Sequence, residues 1–87
     1  MTVYQRSVQL MEADLGDELV ALDVARGQCF GFNSVANSVW KLLAEPRSFD
    51  DLRSRLMEEY DVGEQECSEE LRTLLTDLTE KGLISQG

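Results

Sequence analysis

Along the first third of the chain, apolar residues recur at every second position. Val8 and Leu10 alternate with Ser7 and Gln9, and Asp14-Leu15-Gly16-Asp17-Glu18 then supplies turn residues. Beyond it Val20, Leu22 and Val24 alternate with Leu19, Ala21 and Asp23. A period of two over such short runs, broken by turn chemistry, predicts two strands. Ala25-Arg26-Gly27-Gln28 is a short connection whose glycine can take positive φ, after which Phe30 and Phe32 point one way while Cys29 and Gly31 point the other. The expectation is an antiparallel meander of three strands, too small to be stable unless another layer packs on its apolar face.

From Asn33 the period lengthens. Asn33 or Ser34 is a sound helix cap, and Val35, Ala36, Val39, Trp40 and Leu43 form one apolar stripe that ends before Pro46. Ser48 caps a second helix with Asp51 at the third position, a short-armed capping box, and Phe49, Leu52, Leu56 and Tyr60 form its stripe. A third helix begins around residues 63–65, buries Cys67, Leu71, Leu74, Leu75 and Leu78, and stops at Gly82, after which Leu83-Ile84 folds back as an apolar tail. The pattern is therefore α+β: a three-stranded antiparallel sheet followed by three helices gathered on one of its faces. One domain over residues 1–87 is expected, with little surplus from which to build a deep cavity.

Composition narrows the chemistry. Eight basic residues stand against 17 acidic ones, a formal net charge of -9, which disfavours nucleic acid or an anionic membrane as a partner, because phosphate neutralisation supplies affinity there. The chain has no histidine, so it holds no Ser-His or Cys-His pair. Cys29 and Cys67 form no C-x-x-C motif and are expected as reduced thiols packed as small hydrophobes. No catalytic residue, metal site or cofactor is expected. The amino-terminal stretch has neither the basic nor the apolar segment of a secretory signal, and no run reaches the roughly 20 apolar residues of a membrane span, so the expected location is the cytoplasm.

The third strand then stands out. In a meander the first and third strands are edges, and edges are usually defended with lysine, proline or charge. The first carries Arg6 and Glu12, whereas Gln28-Cys29-Phe30-Gly31-Phe32 carries no charge and no proline. Such an edge suits β-augmentation, in which an extended peptide adds as a further strand. The same edge would serve a homodimer.

The segment "GQCFGFNSVANSVWKLLAEPRSFDDLRSRL" and the later "LRTLLTDLTEKGLI" resemble the PqqD-like domains. The shared features are a glycine turn, an aromatic, a hydrophobic-Asn pair, a helix with an apolar-Trp ending, and a closing L-x-x-L-x-x-K-G-L-I signature. The likeness runs from about Leu19 to Ile84. It implies a winged helix-turn-helix that recognises precursor peptides of ribosomal natural products. The leader of the precursor would add as a strand to the third strand and lie in the groove between it and the third helix. The resemblance places backbone contacts on Gln28, Cys29, Phe30, Gly31 and Phe32. It places the groove wall among the third-helix residues Leu71, Arg72, Leu75, Thr76 and Thr79, with helical spacing leaving open which flank faces the strand. The second strand lacks the Pro-Glu ending of the pyrroloquinoline quinone type. The chain looks more like the stand-alone recognition proteins of lasso-peptide clusters, which implies a separate partner enzyme, a leader peptidase followed by a cyclase.

Two other classes compete. A winged-helix DNA-binding protein shares the topology, yet residues 63–81 hold Arg72 and Lys81 against Glu64, Glu66, Glu69, Glu70, Asp77 and Glu80, a helix that phosphate would repel. An acidic carrier protein would be helical throughout and would need an Asp-Ser-Leu, which does not occur here.

Overall fold

The computed structural model describes residues 2–87. Its elements are β1 (Val3–Arg6), β2 (Met11–Asp14), β3 (Leu19–Asp23), β4 (Gln28–Phe32), α1 (Ser34–Leu42), β5 (Arg47–Ser48), α2 (Phe49–Glu59), α3 (Glu64–Glu80) and β6 (Ile84–Gln86). The meander is present as an antiparallel sheet in the order β2-β3-β4, in which Met11 pairs with Leu22, Leu22 with Cys29, and Leu19 with Phe32. Among the described residues no helix is long and apolar enough to cross a membrane.

The first strand of the meander starts later than expected, at Met11, and extends into Asp14. Asp14 stays in the strand because the reversal beyond it is tight. The Leu15 N–H donates to Glu18 O at 2.8 Å and Asp14 Oδ1 accepts from Gly16 N–H at 3.0 Å. Residues 7–10, expected as strand, instead cross between two sheets. Ser7 is held at the end of α3 by its N–H on Leu83 O and its hydroxyl on Gly82 O, both at 3.0 Å.

The second sheet, in the order β5-β1-β6, was not expected. It pairs Tyr4 with both Arg47 and Gln86, so it ties the start, the middle and the end of the described chain together. Gly82 makes the last strand possible. At φ +74° it lets Leu83 N–H return to Leu78 O and its own N–H to Thr79 O, each at 3.0 Å, the paired bonds of a Schellman stop. Leu83 and Ile84 are thereby buried, as the apolar tail predicts.

The caps form as the sequence predicts. Asn33 Oδ1 accepts from Ala36 N–H at 2.9 Å and Ser48 Oγ from Asp51 N–H at 3.1 Å. The Asp51 carboxylate does not close a capping box, however, and goes instead to Arg47 and Arg55. The three helices bury Val39, Trp40, Leu52, Leu56, Leu71, Leu75 and Leu78 against Leu19, Ala21 and Phe32 of the meander. In β3 it is the phase ending in Asp23 that turns inward, which leaves Val20 half-buried and Leu22 exposed on the opposite face.

Candidate functional site: an open sheet edge and its groove

The β3–β4 hairpin is positioned by its turn. Gly27 takes φ +65°, and Asp23, buried at the end of β3, accepts from Arg26 N–H at 3.2 Å and pairs with Arg26 Nε at 3.5 Å. The Arg26 guanidinium also donates to Lys81 O at 3.4 Å, so the turn is docked on the C-terminal end of α3. At its other end β4 passes directly into Asn33, the cap of α1. Asn33 and Val35 share a cavity of about 620 Å³ with Glu69, Glu70, Thr73, Leu74 and Asp77 of α3. The Gln28 end of β4 thus lies towards Lys81 and the Phe32 end towards Glu70, and the strand runs alongside α3 in the opposite sense.

Strand β4 pairs with β3 and lies at the end of the sheet order. Among the described residues, no backbone bond outside the β3 ladder and no side-chain bond reaches Gln28–Phe32. A ladder used on one side leaves alternate N–H and C=O groups pointing outward along the other. Phe32 is buried with its ring 5.6 Å from that of Trp40, and Phe30 is half-buried; Gln28, Cys29 and Gly31 are exposed. Cys29 therefore departs from the expected packed thiol, because the phase that buries Phe32 turns it outward, whereas Cys67 is buried as expected. Gly31 does not have positive φ, and a Cβ placed on it would meet nothing within 4 Å. The fold itself does not require glycine there; a bare strand glycine is also a place where another backbone approaches closely.

The third-helix residues singled out by sequence fall into two places. Leu71 and Leu75 are core residues with no exposed surface to offer a groove. Arg72 and Thr76 lie on a flank that faces α2. The Arg72 guanidinium sits 5.3 Å from the Phe49 ring, and both residues border a shallow depression shared with Glu80. Thr79 is exposed and donates to Leu75 O at 2.7 Å. The flank beside Asn33 and Val35 is the other one, carrying Glu70 and half-buried Leu74, while Glu69, Thr73 and Asp77 lie on the crest between and border both depressions. The sequence held one signal for it: Leu74 broadens the stripe of Leu71, Leu75 and Leu78 on one side only.

Electrostatically this flank is negative. Burial pushes the Cys67 thiol above its usual range, and the Glu70 carboxylate adds to the effect more than the Arg53 guanidinium offsets it. The outer face of the meander is uncharged, since the cross-strand rows Met11-Leu22-Cys29 and Ala13-Val20-Gly31 carry no ionisable side chain except the Cys29 thiol. What the arrangement offers is one vacant ladder with half-buried Phe30 on it, apolar surface at Val35 and Leu74 just past its Phe32 end, and acidic borders.

The fold has counterparts among known proteins. The profile of the family described as Coenzyme PQQ synthesis protein D (PqqD) matches residues 18–84. Among solved structures, the fold is similar to "TbiB1 in Complex with the TbiA(beta) Leader Peptide", with a TM-score of 0.81, 28% identity, and coverage of 93% of this chain and 94% of that one. It is also similar to "Lasso peptide synthetase B1 complexed with the leader peptide", with a TM-score of 0.75, 23% identity, and coverage of 94% and 96%. No curated protein sequence matches the chain.

Proposed function

Because the chain belongs to the PqqD family, we propose that it is a non-catalytic recognition module for the leader segment of a ribosomally made precursor peptide. The leader adds as a strand to Gln28–Phe32, and the loaded protein presents the precursor to a separate processing enzyme, a leader peptidase acting ahead of a cyclase, in lasso-type biosynthesis. The observation that carries this is the unpaired, uncharged edge of β4 beside the groove at α3. That both similar structures are complexes with leader peptides supports it.

The energetics require both edge and groove. Each added backbone hydrogen bond contributes only about 0.5–1.5 kcal/mol net, so a strand of this length contributes a few kcal/mol. Micromolar binding needs about 8 kcal/mol. Apolar anchors seated beside Phe30, Val35 and Leu74 must supply the remainder, about 1.5–3 kcal/mol for each large side chain buried.

Titrating the isotope-labelled protein with the precursor encoded beside its gene tests the assignment. The amides of Gln28–Phe32 and of the Leu74 flank are expected to shift together. Shifts confined to the Arg72 flank or to β2 would move the docking edge elsewhere and remove the proposal.

A further inference from the structure

The cavity against α3 begins at Asn33, the residue that follows β4, and continues away from the strand. It and a second one of about 250 Å³ share Val35 and Glu70, so the trough rounds the first turn of α1 and runs on between α2 and α3. Its apolar lining is Leu74, Val35, Leu56, Val62 and Tyr60, with Asn33 and Thr73 as the uncharged polar residues of the first part. The borders are carboxylates: Glu69, Glu70 and Asp77 along the first part, Asp61 and Glu66 along the second.

Among the described residues no lysine or arginine lines either cavity. Arg53 and Arg72 lie over the Phe49 ring, and only Arg72 comes near the border, across the α3 crest from Glu69 and Asp77, leaving Glu70, Asp61 and Glu66 with no cation lining their cavity. Among the described residues, Asp77 alone of these five carboxylates has an ion-pair partner, Lys81 Nζ at 2.8 Å. The trough is thus an apolar channel with an unbalanced negative border, continuous with the open edge. A peptide occupant that matches it has an apolar side chain for the floor and a cation beside it for the border, its stem lying on the apolar surface while the charged head meets the carboxylates.

We propose that this trough receives the part of the leader that precedes the added strand, and that this part carries an apolar anchor next to a lysine or arginine. The inference rests on strand addition at β4 and goes beyond it in naming the peptide chemistry. Direction follows from the sheet, which is antiparallel throughout. A leader strand joining in the same sense runs from the Asn33 end of β4 to its Gln28 end. Its N-terminal side therefore enters over the trough, and its C-terminal side leaves past the Gly27 turn.

Selection from a phage-displayed library of random peptides, run in parallel on the wild-type protein, Gly31→Pro and Glu66→Gln/Glu70→Gln, tests this, with circular dichroism establishing that each variant is folded. Wild type is expected to enrich peptides in which an apolar residue adjoins Lys or Arg on the N-terminal side of a strand-forming stretch. Cationic over acidic residues should be preferred there by about tenfold, equivalent to 1.4 kcal/mol. Gly31→Pro should lose these peptides altogether, and the double glutamine variant should keep the strand-forming stretch but lose the cationic preference. Peptides that depend on Gly31 yet show no cationic preference overturn the trough proposal and leave strand addition standing. Peptides indifferent to Gly31→Pro, or no enrichment on any form, overturn strand addition and the trough with it.

Discussion

The two edges of the meander are treated in opposite ways. On the β2 edge, Glu12 Oε2 accepts from Trp40 Nε1 at 3.0 Å and lies 3.6 Å from the Arg6 guanidinium, and Asp14 Oδ2 pairs with Lys41 Nζ at 2.9 Å. Arg6 also stacks 4.2 Å from the centre of the Trp40 ring and donates to Trp40 O. Charge makes that edge a poor template for a foreign strand, and the bonds fasten it to α1. The β4 edge has neither protection. Two edges of one sheet, built from chain segments less than twenty residues apart, show that protection against strand pairing is placed residue by residue, present on β2 and absent from β4.

The fastened β2 edge depends most heavily on Trp40. It is fully buried and is the common anchor of Glu12 and Arg6, so Trp40→Ala is expected to cost about 3–5 kcal/mol, read as a lowered urea midpoint. Next in size is Gly31→Pro. Removing a strand N–H and placing a ring against the incoming chain should weaken precursor binding by about 100-fold or more, roughly 2.7 kcal/mol, while the helical circular dichroism signal is retained. Retained affinity in a folded variant would mean that β4 is not the docking edge. Glu12→Ala should do the reverse. Leaving the Trp40 indole N–H without its acceptor costs about 1–2 kcal/mol of stability, with peptide affinity unchanged.

The smallest effect is that of acid. Hydrogen bonding to Lys41, and secondarily to the Gly16 N–H, holds the Asp14 carboxyl below its usual range. A carboxyl lowered in the folded state contributes stability that is present above its unfolded value and lost as pH falls through its folded one. Protection of the β2 amides, taken as exchange relative to the intrinsic rate at each pH, should therefore fall on acidification in the native protein. The β4 edge carries no carboxylate and should keep its protection; an equal loss at both strands would mean that Asp14 does not fasten β2.

Most of the fold was legible because local chemistry and global packing agree. The caps at Asn33 and Ser48, the stripe through Val39 and Trp40, and the stop at Gly82 all do in the structure what their residue types favour. What escaped notice depends on distant partners. Val3–Arg6 is too polar and too short to announce itself as a strand, and exists because residues 47–48 and 84–86 come to lie on either side of it. The phase of β3 was ambiguous for a related reason. Both of its faces are apolar apart from Asp23, and Asp23 is buried because Arg26 accompanies it.

The site was half legible. An uncharged stretch at Gln28–Phe32 is visible by inspection, but the choice between the Arg72 and Leu74 flanks of α3 depends on where α2 lies. Phe49 takes the Arg72 side, and Leu74 is left towards Asn33 and Val35.

The pairing of Tyr4, Gln5 and Arg6 with residues 84–86 also orders events while the chain is being synthesised. The β3–β4 hairpin closes over a few residues but has no layer to pack on until the helices follow it, and β1 must wait longer still, for residues 84–86, before its sheet is complete. The two sheets therefore mature in order, the meander once the helices cover its inner face and the terminal sheet last.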